Sequence, residues 1–315
     1  MMEKISPFAV ALTLLAGTGN AEDAKITIGT GGKTGVYFRA GEALCDLSDQ
    51  TATGLRCRAK SSGGSFDNLV KLRSNSINLA IARSDWVAQA VNGIGRFNGA
   101  GPDKDLRSLY SLHAEPLNII ARRDSGIRSL DDLKGKRVNF GSWDAPLVQR
   151  LLRAKGWESS DFAKVVPATT KKQGKLLCAG EFDAIIYTVG FPSLSIFELT
   201  KSCPVRFVDA GDPAINRLVK SSDELSRATI PGGMYRGVDD PVETFGYRAS
   251  VVTRADIPDA VVYEFVKSTM QDTSKLRSYH PAWHALHPRK MTQDGLVAPL
   301  HPGAAKYYRE RGWIK

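Results

Sequence analysis

Short apolar runs that end in glycine or small polar residues alternate along this chain with stretches whose apolar positions recur every three or four residues. The first run, Ile26 to Gly29, opens through Gly31, Gly32 and Gly35 into a helix-period stretch from about Val36 to Thr51. Arg56 to Lys60 follows as a second strand and ends in Ser61-Ser62-Gly63-Gly64-Ser65, after which Leu69 and Leu72 carry a helical period until Asn75 and Ser76 stop it. Leu79 to Ala82 forms a third strand, ending in Arg83-Ser84-Asp85 before a helix near Trp86. This βα rhythm predicts an open α/β sheet. In such sheets ligands sit beyond the carboxyl ends of the strands, so the three turns are expected to converge on one side.

The rhythm continues with an extended segment at Asn118 to Arg122, a short capped helix within Ser129 to Lys136 and a strand at Arg137 to Phe140. That strand ends in Ser142-Trp143-Asp144-Ala145-Pro146, where Pro146 suits the first turn of a helix running to Lys155. Val165 and Val166 form a short strand, a helix closes between Lys175 and Gly180, and Ala184 to Val189 gives a strand ending in Gly190-Phe191-Pro192-Ser193. Val205 to Val208 adds a strand, and Phe245 to Thr253 reads as an extended return before a helix from Pro258 to Gln271. The return implies two chain crossings between two lobes, assigned here as 22–114 plus 245–315 and 115–244.

The N-terminus adds a compartment. One basic residue, an apolar run from Phe8 to Gly17 and small residues at Gly19 and Ala21 predict an export signal over residues 1–21. The run is too short to span a bilayer, and no later segment reaches the roughly eighteen apolar residues a membrane helix needs. A soluble periplasmic protein is expected. Four cysteines, Cys45, Cys57, Cys178 and Cys203, suit that compartment and show no metal-type spacing. They allow three pairings, of which the local one, Cys45 with Cys57 and Cys178 with Cys203, is favoured because each bridge then stays within one lobe. The formal charge of +10 comes from scattered basic residues and argues for attraction of small anions over nucleic acid.

The glycine turns supply the candidate chemistry. A strand opening through glycines into a helix leaves backbone N–H groups pointing out of the sheet, which favours an anionic ligand group. Gly32-Lys33-Thr34 matches the end of a phosphate loop, but that motif requires glycine where Thr27 stands. His280, His284 and His287 fall at i, i+4 and i+7, yet Pro281 and Pro288 confine any helix there and no H-E-x-x-H is present, so they are read as packing histidines. No G-x-S-x-G elbow occurs, and His113 and His301 have no evident nucleophile partner. Binding without chemistry, with no cofactor or metal, is the expectation.

The stretches ITIGTGGKTGVY, SSGGSFDNL, ARSDW, SLHAEPLNIIARRDSGIRSLDDLKGKRV, EFDAIIYTVGFPS, VVTRADIPDAVVYEFVK and PLHPGAAKYYRERGW resemble, in order, the TAXI group of solute-binding proteins that serve TRAP-type secondary transporters. The resemblance implies a two-lobed α/β periplasmic binding protein of type II-like architecture, a cleft between the lobes, a glutamate-like or 2-oxoglutarate-like dicarboxylate ligand, TRAP membrane subunits as partners, and a monomer. It carries ligand contact onto Thr30, Gly31 and Tyr37, onto Ser62, Gly63 and Ser65, onto Asp85, onto Ser142 and Trp143, and onto Thr188 and Gly190. Two departures bear on the ligand. Relatives show a Ser-Gly-Thr-like turn where this chain has Ser142-Trp143-Asp144, and a neutral residue where it has Arg83. Arg83 either forks onto a ligand carboxylate or pairs with Asp85 or Glu115. Asp85 is expected first as a helix cap, with an ammonium contact and a hold on Arg83 as alternatives. Tyr37 also suits plain core filling, and Glu115 suits a hinge or a ligand contact. The competing readings are a transporter-independent sensor or scaffold of the same fold and, less favoured, a periplasmic enzyme.

Overall fold

A computed structural model describes residues 23–52, 54–141, 145–165, 168 and 170–315. The export signal expected over residues 1–21, the candidates Ser142 and Trp143, and Val166 lie outside the described residues. The first half follows the sequence pattern closely. Strands β1 (Ala24–Gly29), β2 (Leu55–Lys60) and β3 (Leu79–Arg83) lead into helices α1 (Val36–Thr51), α2 (Ser65–Arg73) and α3 (Ser84–Asn92). Helix α1 forms because Ala40, Ala43, Leu44 and Leu47 share one buried face, and full burial of each leucine contributes about 1.5–3 kcal/mol.

The long strand β4 (Leu106–Arg122) replaces the short extended segment expected at Asn118–Arg122. Its alternation is hidden because nearly every position is buried on both faces. Then come β5 (Arg137–Asn139), α4 (Pro146–Lys155), β6 (Lys164–Val165), α5 (Thr170–Cys178), β7 (Ala184–Thr188), α6 (Leu194–Ser202), β8 (Val205–Phe207), α7 (Pro213–Lys220) and β9 (Ser226–Ile230). The second long strand, β10 (Val242–Arg254), leads into α8 (Asp259–Met270), α9 (Thr273–Ser278), α10 (Pro288–Met291) and α11 (Pro302–Glu310). The capped helix expected within Ser129–Lys136 is only a 3-10 turn, Asp131–Leu133. There one Asp132 oxygen collects the N–H groups of Arg128 and Ser129 at 2.9 and 2.8 Å and folds the chain into a tight loop.

The strands lie in the order β2-β1-β3-β10-β4-β7-β5-β6, with β8 against β4 and β9 against β10. β1 pairs parallel with β2 and β3, whereas β10 runs antiparallel to both β3 and β4. The two long strands carry the chain through the middle of the molecule. β4 pairs with β10 as far as Pro116 and with β7 from Leu117 onward. Apolar packing divides at the same place. Two clusters draw on Ile26 to Leu112 and Ala249 to Tyr308, and two others on Leu117 to Tyr247. At the crossing Gly246 faces Pro116, and a Cβ on Gly246 would stand 2.5 Å from both the Glu115 carbonyl oxygen and Pro116 Cα, so glycine is needed for the strands to approach this closely.

Both expected disulfides form. Cys45–Cys57 ties α1 to β2, and Cys178–Cys203 ties the end of α5 to the end of α6. Among the described residues no helix is long and apolar enough to cross a membrane.

Candidate ligand-binding site

The three turns after β1, β2 and β3 meet, as the topology requires. The Ser62 N–H donates to the Gly31 carbonyl at 3.1 Å, and the Ser61 hydroxyl donates to the same oxygen at 2.9 Å. The next turn is joined by the Arg83 N–H, which donates to Ser65 Oγ at 3.0 Å. α1, α2 and α3 all begin here without a side-chain cap, so their first N–H groups stay available on this side of the sheet. Gly64 enters α2 with φ of 89°, in the left-handed region that favours glycine.

Several residues expected to touch ligand are engaged by the turns themselves. The fully buried Thr30 donates its hydroxyl to the Lys60 carbonyl at 2.8 Å. The Gly63 N–H donates to Asp67 Oδ2 at 2.9 Å, and Ser62 Oγ accepts the Gly64 N–H at 3.1 Å. These contacts shape the turns and leave the Ser62 hydroxyl proton and the helix-start N–H groups as donors.

At the centre of this surface one guanidinium faces two carboxyl groups. Arg83 donates from Nε and Nη2 to the two oxygens of Asp85 at 2.6 and 2.8 Å, and its Nη1 lies 3.9 Å from Glu115 Oε2. The side chains are 26%, 9% and 18% exposed for Arg83, Asp85 and Glu115, so these charges interact in a partly dry setting. The Arg83 guanidinium also sits 4.9 Å above the ring of Tyr247 on β10. Burial works against the Arg83 charge, but Asp85 and then Glu115 outweigh it and hold the guanidinium more firmly protonated than usual.

Asp85 therefore does not cap α3. It lies in the first turn of that helix, Arg83 occupies the cap position without a side-chain cap bond, and the Asp85 carboxylate is spent on Arg83. The reason is local: a fork two residues away in the chain competes successfully for both oxygens, and a charged bidentate pair is stronger than a single bond from a backbone N–H.

Tyr37 is more than filler. Its hydroxyl donates to Glu115 Oε1 at 2.6 Å, and its ring meets His113 edge-on at 5.9 Å. Burial, followed by the adjacent Glu115, pushes the Tyr37 phenol well above its usual range. Burial likewise raises the Glu115 carboxyl; Arg83 and Tyr37 pull it back, and Asp85 pushes it further up. The buried His113 accepts from the Trp283 indole N–H at 3.4 Å, and burial, then Arg248 and His280, push it down to about 3.

The turn after β7 reaches the same place. Thr188 pairs with Leu117, and Asn118 donates to the carbonyls of Pro116 and Val189, both at 3.0 Å. A side chain on Gly190 would come within 3.6 Å of the Ala114 carbonyl, 3.8 Å of His113 and 3.9 Å of Glu115 Cγ. Ser84 links the cluster to the segment before β9: its hydroxyl donates to the Glu224 carbonyl at 2.7 Å and accepts the Arg248 N–H at 3.1 Å. Glu224 in turn pairs with Arg150 on α4. Tyr247, Glu224 and Arg150 carried no sequence signal, because none lies in a turn at a strand end, and Ser84 stood in the turn after β3 without being singled out.

His280, His284 and His287 do not share a helix. His280 caps a 3-10 turn through its Nδ1, which accepts the Ala282 N–H at 3.1 Å, and His287 stands at the start of α10.

Solved structures resemble this arrangement. The periplasmic aliphatic sulphonate binding protein SsuA from Escherichia coli is 16% identical, with 91% of this chain and 87% of that one covered and a TM-score of 0.50. The periplasmic sulfonate-binding protein SsuA from Methylobacillus flagellatus KT is 14% identical, with 92% and 86% covered and a TM-score of 0.52. At such identity the likeness concerns the fold alone, a two-lobed α/β arrangement. The family follows from the sequence match: with residues 28–312 fitting its pattern, from β1 through the last turn after α11, this chain belongs to the NMT1-like family.

Proposed function

We propose that this protein is a periplasmic solute-binding protein of the TAXI type, which captures a small organic anion and delivers it to the membrane subunits of a TRAP-type transporter. The ligand is a dicarboxylate such as glutamate or 2-oxoglutarate, or a related carboxylic acid. The protein acts as a monomer, by binding without chemistry. Its lobes comprise 22–114 plus 245–315 and 115–244, and residues 1–21 are the export signal.

The observation that carries this reading is the meeting of three uncapped helix starts with the guanidinium of Arg83 at the place where β4 and β10 cross. Helix-start N–H groups and a guanidinium both favour a carboxylate, and contacts drawn from both sides of a crossing let a ligand stabilise a closed form. Arg83 Nη1, the Ser62 hydroxyl, Tyr37 and the turn at Thr188 and Gly190 are the proposed contacts, with Ser142 and Trp143 from the remaining turn. Thermal unfolding with C4–C6 dicarboxylates, acidic amino acids, 2-oxo acids and alkylsulfonates tests the reading. A saturable rise with one carboxylic acid class is expected. Stabilisation by alkylsulfonates alone, or by none of these anions, would overturn it.

A further inference from the structure

The pairing of Arg83 leaves a geometric problem for any anionic ligand. Asp85 occupies Nε and Nη2, so the guanidinium offers Nη1, which makes no hydrogen bond among the described residues and lies 3.9 Å from Glu115 Oε2. Glu115 Oε1 is taken by Tyr37, and Oε2 is the oxygen left facing the same space. A carboxylate that reaches Nη1 from the side of Glu115 arrives within about a hydrogen bond of another carboxyl group. Two ionised carboxylates at that distance repel, whereas a carboxyl and a carboxylate share a strong O–H···O bond.

We propose that Glu115 reads the charge of the ligand: an anionic solute is held between Arg83 Nη1 and Glu115 Oε2, and it binds together with one proton carried on that oxygen. This rests on the anion reading above. The proton comes from solvent and returns to it on release, and the O–H bond of Glu115 is the only covalent bond that changes.

Among the described residues, groups from four elements face Glu115. Tyr37 on α1 and Tyr247 on β10 hold their phenol protons, because burial pushes both above the usual range. Arg83 at the end of β3 stays charged, and Asp85 on α3 is held by the fork. His113, two residues earlier on β4, stays neutral at physiological pH. The turn after β7 presents glycine, Gly190, with no charge of its own. Burial already raises the Glu115 carboxyl above its ordinary range, and a second anion beside it acts in the same direction.

Calorimetric titration of the purified protein with glutarate and with 2-oxoglutarate, from pH 5 to pH 8 in phosphate and in Tris, tests the proposal. The expected result is proton uptake approaching one per ligand and a Kd that rises by up to about tenfold per pH unit once Glu115 ionises. Glu115→Gln, which mimics the protonated carboxyl, should bind at pH 8 about as tightly as the wild type at pH 5, with no uptake. Asp85→Asn should keep the pH slope. A pH-independent Kd, or a slope retained in Glu115→Gln, overturns the proposal. So does tighter binding of glutamate, titrated alongside, than of glutarate with no proton uptake, which would assign Glu115 to an ammonium group. If neither acid binds at any pH, the anion reading falls and takes this proposal with it. A ligand-free arm is independent of that outcome: carboxyl carbon NMR of the labelled protein should show a signal, absent in Glu115→Gln, that titrates above the ordinary glutamate range, and titration within that range overturns the proposal.

Discussion

The hydroxyl of Tyr37 donates to Oε1 of Glu115 across 2.6 Å, although 78 residues separate the two in the chain. The bond fastens the first turn of α1 to β4 just before that strand passes from one half of the molecule to the other. It supports the ionised form of Glu115 against the burial that opposes it.

Tyr37→Phe should therefore lower stability by about 1.5–3 kcal/mol, the range for loss of a hydrogen bond to a charged group. The loss should depend on pH. Because the folded Glu115 carboxyl titrates high, its protonated form is favoured in acid, and stability falls as pH rises through its folded value. The phenol donor limits that fall, so Tyr37→Phe should cost more at pH 8 than at pH 5 in urea denaturation. Equal losses at the two pH values would contradict the assignment.

Arg83 has two roles that one substitution can separate from each other. Arg83→Ala leaves Asp85, 9% exposed, without its partner, and should cost about 2–3 kcal/mol of stability, between the limits for surface and fully buried pairs. It should also weaken carboxylate binding at least about tenfold, or 1.4 kcal/mol. A double-mutant cycle with Asp85→Ala checks the pair, with an expected coupling of about 1–2 kcal/mol. A binding loss well below tenfold would make Arg83 a structural residue alone.

His113 provides an acid-sensitive element. Its folded value, pushed down to about 3, lies below that of an ordinary histidine, so protonation favours the unfolded chain. The contribution of neutral His113 is complete above about pH 6.5 and should be lost as pH falls towards 3, by about 1.4 kcal/mol per unit. His113→Asn should flatten that part of the stability profile in denaturant titrations between pH 4 and 7. An unchanged slope would show that the imidazole is not the responsible group.

The two disulfides should contribute unequally. Each should stabilise by about 2–4 kcal/mol through its effect on the unfolded chain. Cys178–Cys203 spans 25 residues against 12 for Cys45–Cys57, which favours the former by about 0.6 kcal/mol. Paired Cys→Ser variants compared by guanidinium denaturation measure both, and a larger loss for the shorter loop would run against the chain-entropy account.

The sequence by itself determined the alternation of strands and helices and the glycine and serine turns at the ends of β1, β2 and β3, and it favoured the local pairing of the cysteines among the three it allowed. These are properties of neighbouring residues: an apolar period, a residue that tolerates positive φ, a short loop. It also singled out Arg83 and Glu115 but could not choose their partners. β4 stayed half visible, because a strand buried on both faces shows no alternation. What only the tertiary structure decided is which charges meet. Asp85 turned from a helix cap into the partner of Arg83. Tyr37 found Glu115, and Ser84 found the Glu224 carbonyl 140 residues away. Such contacts depend on how β3, β10 and β4 are registered against one another, and register is set by packing across the whole sheet, which no local stretch of sequence encodes.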